Sequence, residues 1–154
     1  MREIPIGKAE VLREGADVTL VGFGTPVMEC VAAAEILARD GIEATVVNAR
    51  FAKPIDAELM ARLAAETGGI LTAEENVRAG GFGDAVLEAL ADHHLADRFL
   101  GSFTMPDAIV DHGPQATFRA LHGLDAAGIA ARAKALLEQR TSGRDTIDTP
   151  LAPV

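Results

Sequence analysis

Three times along this chain, a short apolar run rich in β-branched residues stops at a turn and gives way to residues spaced for one face of a helix. Asp17-Val18-Thr19-Leu20-Val21-Gly22-Phe23-Gly24 is continuous rather than alternating, as a strand buried on both faces requires. Thr25 is placed to cap the next helix, and Pro26 suits its first position, where a missing N–H costs nothing. Val27, Cys30, Val31, Ala34 and Leu37 then recur at helical spacing until Gly41 ends the helix. Ala44-Thr45-Val46-Val47-Asn48-Ala49 repeats the strand, and Asp56 caps a helix carrying Leu59, Met60 and Leu63. Ile70-Leu71-Thr72 is the third run; Val86, Leu87 and Leu90 mark the helix beyond its glycine turn. Strands alternating with such helices make βαβ units. The pattern predicts an α/β fold with a doubly wound, mostly parallel sheet and helices on both faces.

The flanking segments complete a sheet of about five strands. Ile6 to Glu14 reads as a short, partly polar strand turning at Gly15, and Arg98 to Phe103 as the last strand. Pro114 to His122 is helical, and Asp125 caps a final helix with Ile129, Ala133 and Leu136 on one side. Residues 1–140 are expected to form one domain. From Thr141 the residues lose all period, so 141–154 are expected to be a disordered tail.

Composition narrows the function classes. A chain of 154 residues with 49% apolar and 24% charged residues has the make-up of one globular domain. No apolar run approaches the roughly 20 residues of a membrane span, and the first residues hold no signal-peptide core. A cytoplasmic setting without membrane contact is expected. The net charge of -9 argues against nucleic-acid partners. Cys30 is the only cysteine, so no internal disulfide can form, and its apolar helical setting reads as a small core residue.

In an open α/β sheet the carboxyl ends of the strands meet ligands and partner domains. Leu71-Thr72-Ala73-Glu74-Glu75-Asn76, followed by Gly80-Gly81-Phe82-Gly83, therefore marks the functional edge. The candidate interface residues are Arg50, Lys53, Glu74, Glu75, Asn76, Gly80, Gly81 and His112. Arg50 and Lys53 could grip a phosphate or pair with Glu74 and Glu75 across neighbouring strand ends. Pairing is preferred because it satisfies both sets of charges without a ligand. Glu74 and Glu75 are adjacent, so on a strand they point to opposite faces, which disfavours joint acid–base catalysis. His93 and His94 are helix neighbours that share no face, and His112 and His122 lie outside usual metal-ligand spacing. Gly22-Phe23-Gly24-Thr25-Pro26 begins like a dinucleotide-binding turn, but Val27 stands where its third glycine belongs. A tight strand-to-helix turn is the preferred reading, with a phosphorylated-metabolite site as the alternative. No complete active site emerges from these residues: no catalytic, cofactor or metal residue is assigned.

Taken in order, these motifs resemble the C-terminal, transketolase-type domain of 1-deoxy-D-xylulose-5-phosphate synthases. The resemblance is carried by Pro5-Ile6-Gly7-Lys8, Gly22-Phe23-Gly24-Thr25, Val47 to Asp56, Thr72 to Asn76 with Gly80 to Gly83, Met105-Pro106-Asp107, and Gly123 to Ile129. The stretch ahead of Pro106 departs somewhat from the family pattern. The resemblance implies a sheet whose first strand runs antiparallel. It implies a parent enzyme that joins pyruvate to D-glyceraldehyde 3-phosphate with loss of carbon dioxide, using thiamine diphosphate and Mg2+. In that family the cofactor and the proton-relaying glutamate belong to the two preceding domains. The segment is accordingly expected to bind no cofactor, to be inactive alone, and to serve packing against the other domains within a homodimer. Met1 directly before the domain is what a separately produced segment or a proteolytic piece would show. A 2-oxoacid dehydrogenase β-subunit carries a similar acidic-then-glycine segment and stands as the alternative parent.

Overall fold

Every residue of Val18–Gly22 is buried, because this strand lies mid-sheet with a partner on either side and helices above and below. The computed structural model describes residues 3–110 and 112–145. Within them β1 (Glu10–Arg13), β2 (Val18–Gly22), β3 (Ala44–Asn48), β4 (Ile70–Val77) and β5 (Phe99–Met105) form one sheet in the order β1-β3-β2-β4-β5. β3, β2, β4 and β5 run parallel, while β1 is antiparallel to β3 with Glu10 opposite Asn48. The expected doubly wound sheet with an antiparallel first strand is the one observed.

Two cores explain why the strand sequences are continuous rather than alternating. On one face Leu20, Val46, Leu71 and Phe103 pack with Cys30 and Leu37 of α1 (Pro26–Arg39) and Ile129 and Ala133 of α5 (Ala126–Asp145). On the other, Val21, Val47 and Ile70 meet Met60 and Leu63 of α2 (Ala57–Glu66) and Val86 and Leu90 of α3 (Phe82–Asp92). The pairs Leu20/Val21, Val46/Val47 and Ile70/Leu71 thus serve opposite cores, as the period-two geometry of a strand dictates. Cys30 is 1% exposed, and burial pushes its thiol up to about 12.

The differences lie at element ends and caps. β1 is shorter than the expected Ile6 to Glu14, leaving Ile4 and Ile6 exposed ahead of it. β5 starts after a 3-10 turn at Ala96–Arg98 and runs on to Met105. β4 does not stop at Thr72 but carries Glu74, Glu75 and Asn76 within the strand. α4 (Gln115–Leu121) is shorter than Pro114 to His122. α5 continues to Asp145, past the expected start of the tail; residues 146–154 and Asp111 lie outside the described residues.

Asp56 and Asp125 cap as expected, accepting the N–H of Leu59 at 3.4 Å and of Gly128 at 2.9 Å. Thr25 does not: its own backbone is helical and its hydroxyl donates to Glu75 instead. At Gly22 an added Cβ would fall 2.5 Å from Cα of Val27, so this glycine admits the close approach of α1 to β2.

Candidate functional site

The carboxyl ends of β3, β2, β4 and β5 gather the segments the sequence singles out, and there Glu74 and Glu75 each have specific partners within the domain. Because β4 stays extended, Glu74 and Glu75 take opposite faces. Glu74 is 0% exposed. Its carboxylate accepts the N–H of Phe82 and of Gly83, both at 2.7 Å, and the Asn76 side-chain amide at 3.0 Å. It therefore occupies the first turn of α3, where unpaired N–H groups and the helix dipole favour negative charge. Gly81 must be a glycine for this to happen, since a Cβ there would lie 2.8 Å from the Glu74 carboxylate and 2.5 Å from the Val77 carbonyl oxygen. Gly80 takes φ +72° and donates its N–H to Asp84 at 2.7 Å, completing the turn.

Glu75 points to the face covered by α1 and α5. It accepts Nε of Arg119 at 2.8 Å and the Thr25 hydroxyl at 3.2 Å. Arg119 also reaches Glu29 of α1 at 3.3 Å and Gln115 at 3.1 Å. Glu29 in turn accepts the N–H of Ala126 at 3.1 Å, at the start of α5. One guanidinium thus joins β4, α1 and α4, and its hydrogen bond to Glu75 holds its pKa above the ordinary arginine value. β2 and β4 are neighbours whose crossovers leave to opposite faces, the place where a ligand enters folds of this kind. Here Thr25, Glu75 and Arg119 bridge that point.

The expected pairing of Arg50 and Lys53 with Glu74 and Glu75 does not occur. Arg50, at φ +58°, is tied by its N–H to the Asn48 side-chain oxygen at 3.1 Å and by its guanidinium to Glu10 of β1. Glu10 is brought there by the antiparallel register opposite Asn48. Lys53 is exposed and makes no ion pair among the described residues. Nor is Glu74 an interface residue, because it has no surface with which to touch a partner. Asn76, Gly80 and His112 are exposed; His112 lines an open cleft of about 280 Å³ with Met105, Val110, Phe118, Glu75 and Arg119.

Sequence reasoning missed Arg119, Glu29, Glu10 and the Lys8–Asp56 pair at 3.2 Å. The one available signal was the spacing of Gln115 and Arg119 on one helix face; nothing local names a partner 44 residues away. Among the described residues no group of three or more His, Cys, Asp or Glu is arranged to hold a metal ion. Glu74 and Glu75 are both engaged by partners within the domain. No helix among the described residues is long and apolar enough to cross a membrane.

A five-stranded, doubly wound α/β sheet with β1 antiparallel at its edge, and with Glu74 and Glu75 hydrogen-bonded at its carboxyl side, defines the class of fold. The chain belongs to the transketolase C-terminal domain family, whose pattern matches residues 7–129. It is 50% identical over 137 residues to 1-deoxy-D-xylulose-5-phosphate synthase 1 of Geobacter sulfurreducens, covering 89% of this chain and 22% of that enzyme. It is 47% identical to the synthase of Symbiobacterium thermophilum, again over 89% of this chain and 21% of that enzyme. The chain thus spans about a fifth of the length of these relatives. Among solved structures it resembles a split-gene transketolase in an inactive beta4 tetramer, with a TM-score of 0.80 and 32% identity over 89% of this chain and 43% of the other. A transketolase of Pichia stipitis, 17% identical with a TM-score of 0.62 over 88% of this chain and 19% of its own, shares the fold.

Proposed function

We propose that the chain is the C-terminal domain of a thiamine-diphosphate-dependent 1-deoxy-D-xylulose-5-phosphate synthase. The parent joins pyruvate to D-glyceraldehyde 3-phosphate with release of carbon dioxide, feeding isoprenoid, thiamine and pyridoxal precursors. The preceding domains hold thiamine diphosphate and Mg2+, and this domain packs against them and supports the homodimer. It carries no step of the reaction itself.

The observation that carries this reading is where apolar surface is left uncovered. Eight large apolar side chains are exposed among the described residues: Ile4, Ile6, Leu12, Met28, Val77, Ile109, Val110 and Leu121. All but Leu12 lie on segments around the carboxyl edge. Ile4 and Ile6 precede β1, whose first residue opposes the end of β3; Leu121 is on α4, which Arg119 ties to Glu75. None lies on the segments joining elements at the opposite edge. Apolar surface gathered on one side is how a protein marks a contact with another protein surface. Lys53, Glu75, Asn76, Gly80, Gly81 and His112 lie on the same side, and the half-buried Arg50 supports it through Glu10.

Two measurements test the reading. Calorimetry of the 154-residue chain with thiamine diphosphate is expected to give no heat of binding at micromolar cofactor, whereas the full-length enzyme binds and turns over. Hydrogen exchange of residues 76–81 and 106–114 is expected to be slower in the full-length enzyme than in the chain alone. Cofactor binding by the chain itself, or equal exchange in both, would overturn the proposal.

A further inference from the structure

The carboxyl edge contains an open cleft of about 470 Å³ between the loop after β3 and the end of β4. Its walls are Ala52, Val77, Ala79, Phe82 and Ala85, and Lys53 is the only ionisable group lining it. Of the other cations at this edge, Lys8 has Asp56 and Glu58, Arg50 has Glu10, and Arg119 has Glu75 and Glu29, while Arg78, without an ion pair among the described residues, lines the neighbouring cleft with Asp84 and Asp107. Lys53 has no carboxylate partner among the described residues, in a chain whose net charge is -9. Asn76, also on the cleft, spends its amide N–H on Glu74. Its own side-chain oxygen makes no hydrogen bond among the described residues and remains an acceptor.

Building on the docking reading above, we infer that this cleft receives a segment of the parent's preceding domains that is apolar apart from one carboxylate, which pairs with the Lys53 ammonium. Val77 and Ala79, with the half-buried Ala52 and Ala85, supply the apolar contact, and Asn76 accepts one N–H from the segment. The complement follows from what the cleft lacks: a partner that brought another cation would meet Lys53, and a wholly apolar one would leave that ammonium covered and unpaired. A free phosphate ester is disfavoured because the nearest helix N-terminus, that of α3, has already given the N–H groups of Phe82 and Gly83 to Glu74. At this cleft a second copy of the chain is disfavoured because the only ionisable group its own cleft could offer is another Lys53.

The test uses the full-length enzyme. A water-soluble carbodiimide, which joins an amine and a carboxylate in contact as an amide with loss of water, is followed by peptide mapping. Lys53 is expected to be linked to an Asp or Glu of the preceding domains, and the link to vanish in Lys53→Arg, whose guanidinium does not couple. Lys53→Glu is expected to raise hydrogen exchange across residues 76–82 at least tenfold, and Lys53→Gln to raise it less. If those residues are protected in the full-length enzyme while Lys53 couples to nothing and Lys53→Glu leaves exchange unchanged, this inference fails and the docking reading stands. If they are unprotected, the docking reading itself fails. A link to a carboxylate of this same domain in a second copy would overturn the inference. So would shielding of Lys53 from acetylation that appears only with added inorganic phosphate.

Discussion

Replacing Glu74 by glutamine keeps its shape and reverses half of its hydrogen-bonding sense. Phe82 and Gly83 both donate into the carboxylate, so an amide must turn its NH2 toward one of them. A donor facing a donor in a wholly buried place leaves an unsatisfied N–H, and Glu74→Gln should cost about 2 kcal/mol. Glu74→Ala strands all three donors and opens a void, and should cost about 3–5 kcal/mol. Urea unfolding monitored by circular dichroism measures both; equal stability of Glu74→Gln and the native chain would refute this capping role. Cys30 gives a second residue-scale test. Its thiol is pushed from 9.0 to about 12 by burial, so between those values the folded chain keeps a proton that the unfolded chain loses. Stability is therefore complete below pH 9 and should fall through this window by about 1.4 kcal/mol per pH unit from this group. Stability of the native chain and of Cys30→Ala, measured at several pH values above 9, should show the steeper fall in the native chain. The core role of Cys30 was legible because one thiol in an apolar helical stripe has few other uses. The burial of Glu74 was not, since glutamate is almost never wholly buried and only the fold brings the α3 N–H groups to it.

Among the five α-helices, α4 is the one with no buried residue among the described residues. Its attachment rests on Arg119, which reaches Glu75 of β4 and Glu29 of α1 at once. A lysine presents a single ammonium and cannot span both carboxylates in that planar arrangement. Arg119→Lys and Arg119→Ala are therefore both expected to bring hydrogen exchange in residues 115–121 close to that of an unprotected chain. β2 and β3, held by the two cores, should keep their protection. Unchanged protection of α4 in Arg119→Ala would show that Phe118 packing suffices to hold it. The α/β alternation itself was legible in Leu20/Val21, Val46/Val47 and Ile70/Leu71, because a strand between two helical layers must be apolar on both sides. The joints were not. Arg50 finds Glu10, not Glu75, because β1 returns antiparallel beside β3, and a register between strands 40 residues apart leaves no local trace. Thr25 looked like a cap for the same reason: its actual partner, Glu75, belongs to a strand far along the chain.

For the whole molecule, stability and docking reside in different places, which makes them separable by mutation. Leu124 and Ile129 are wholly buried in the core beneath α5, whereas Ile6 and Ile109 are strongly exposed at the carboxyl edge. Leu124→Ala should lower stability by about 2–5 kcal/mol, as emptied core sites do. Ile6→Ser with Ile109→Ser removes no buried contact and should leave the urea midpoint within about 0.5 kcal/mol of the native chain. That same pair should act on association. Apolar surface uncovered on one side of the chain is free to find a second copy, and light scattering of the chain alone is expected to rise with concentration and to drop in the double serine variant. In the full-length enzyme the two serines would sit where apolar contact is lost, so the enzyme should unfold in two thermal steps where the native one unfolds in one. A chain that stays monomeric at every concentration, together with serine variants silent in the full-length enzyme, would mean that this edge faces only water. The contrast between a destabilised core variant that still docks and a stable edge variant that does not is what distinguishes a docking face from ordinary surface.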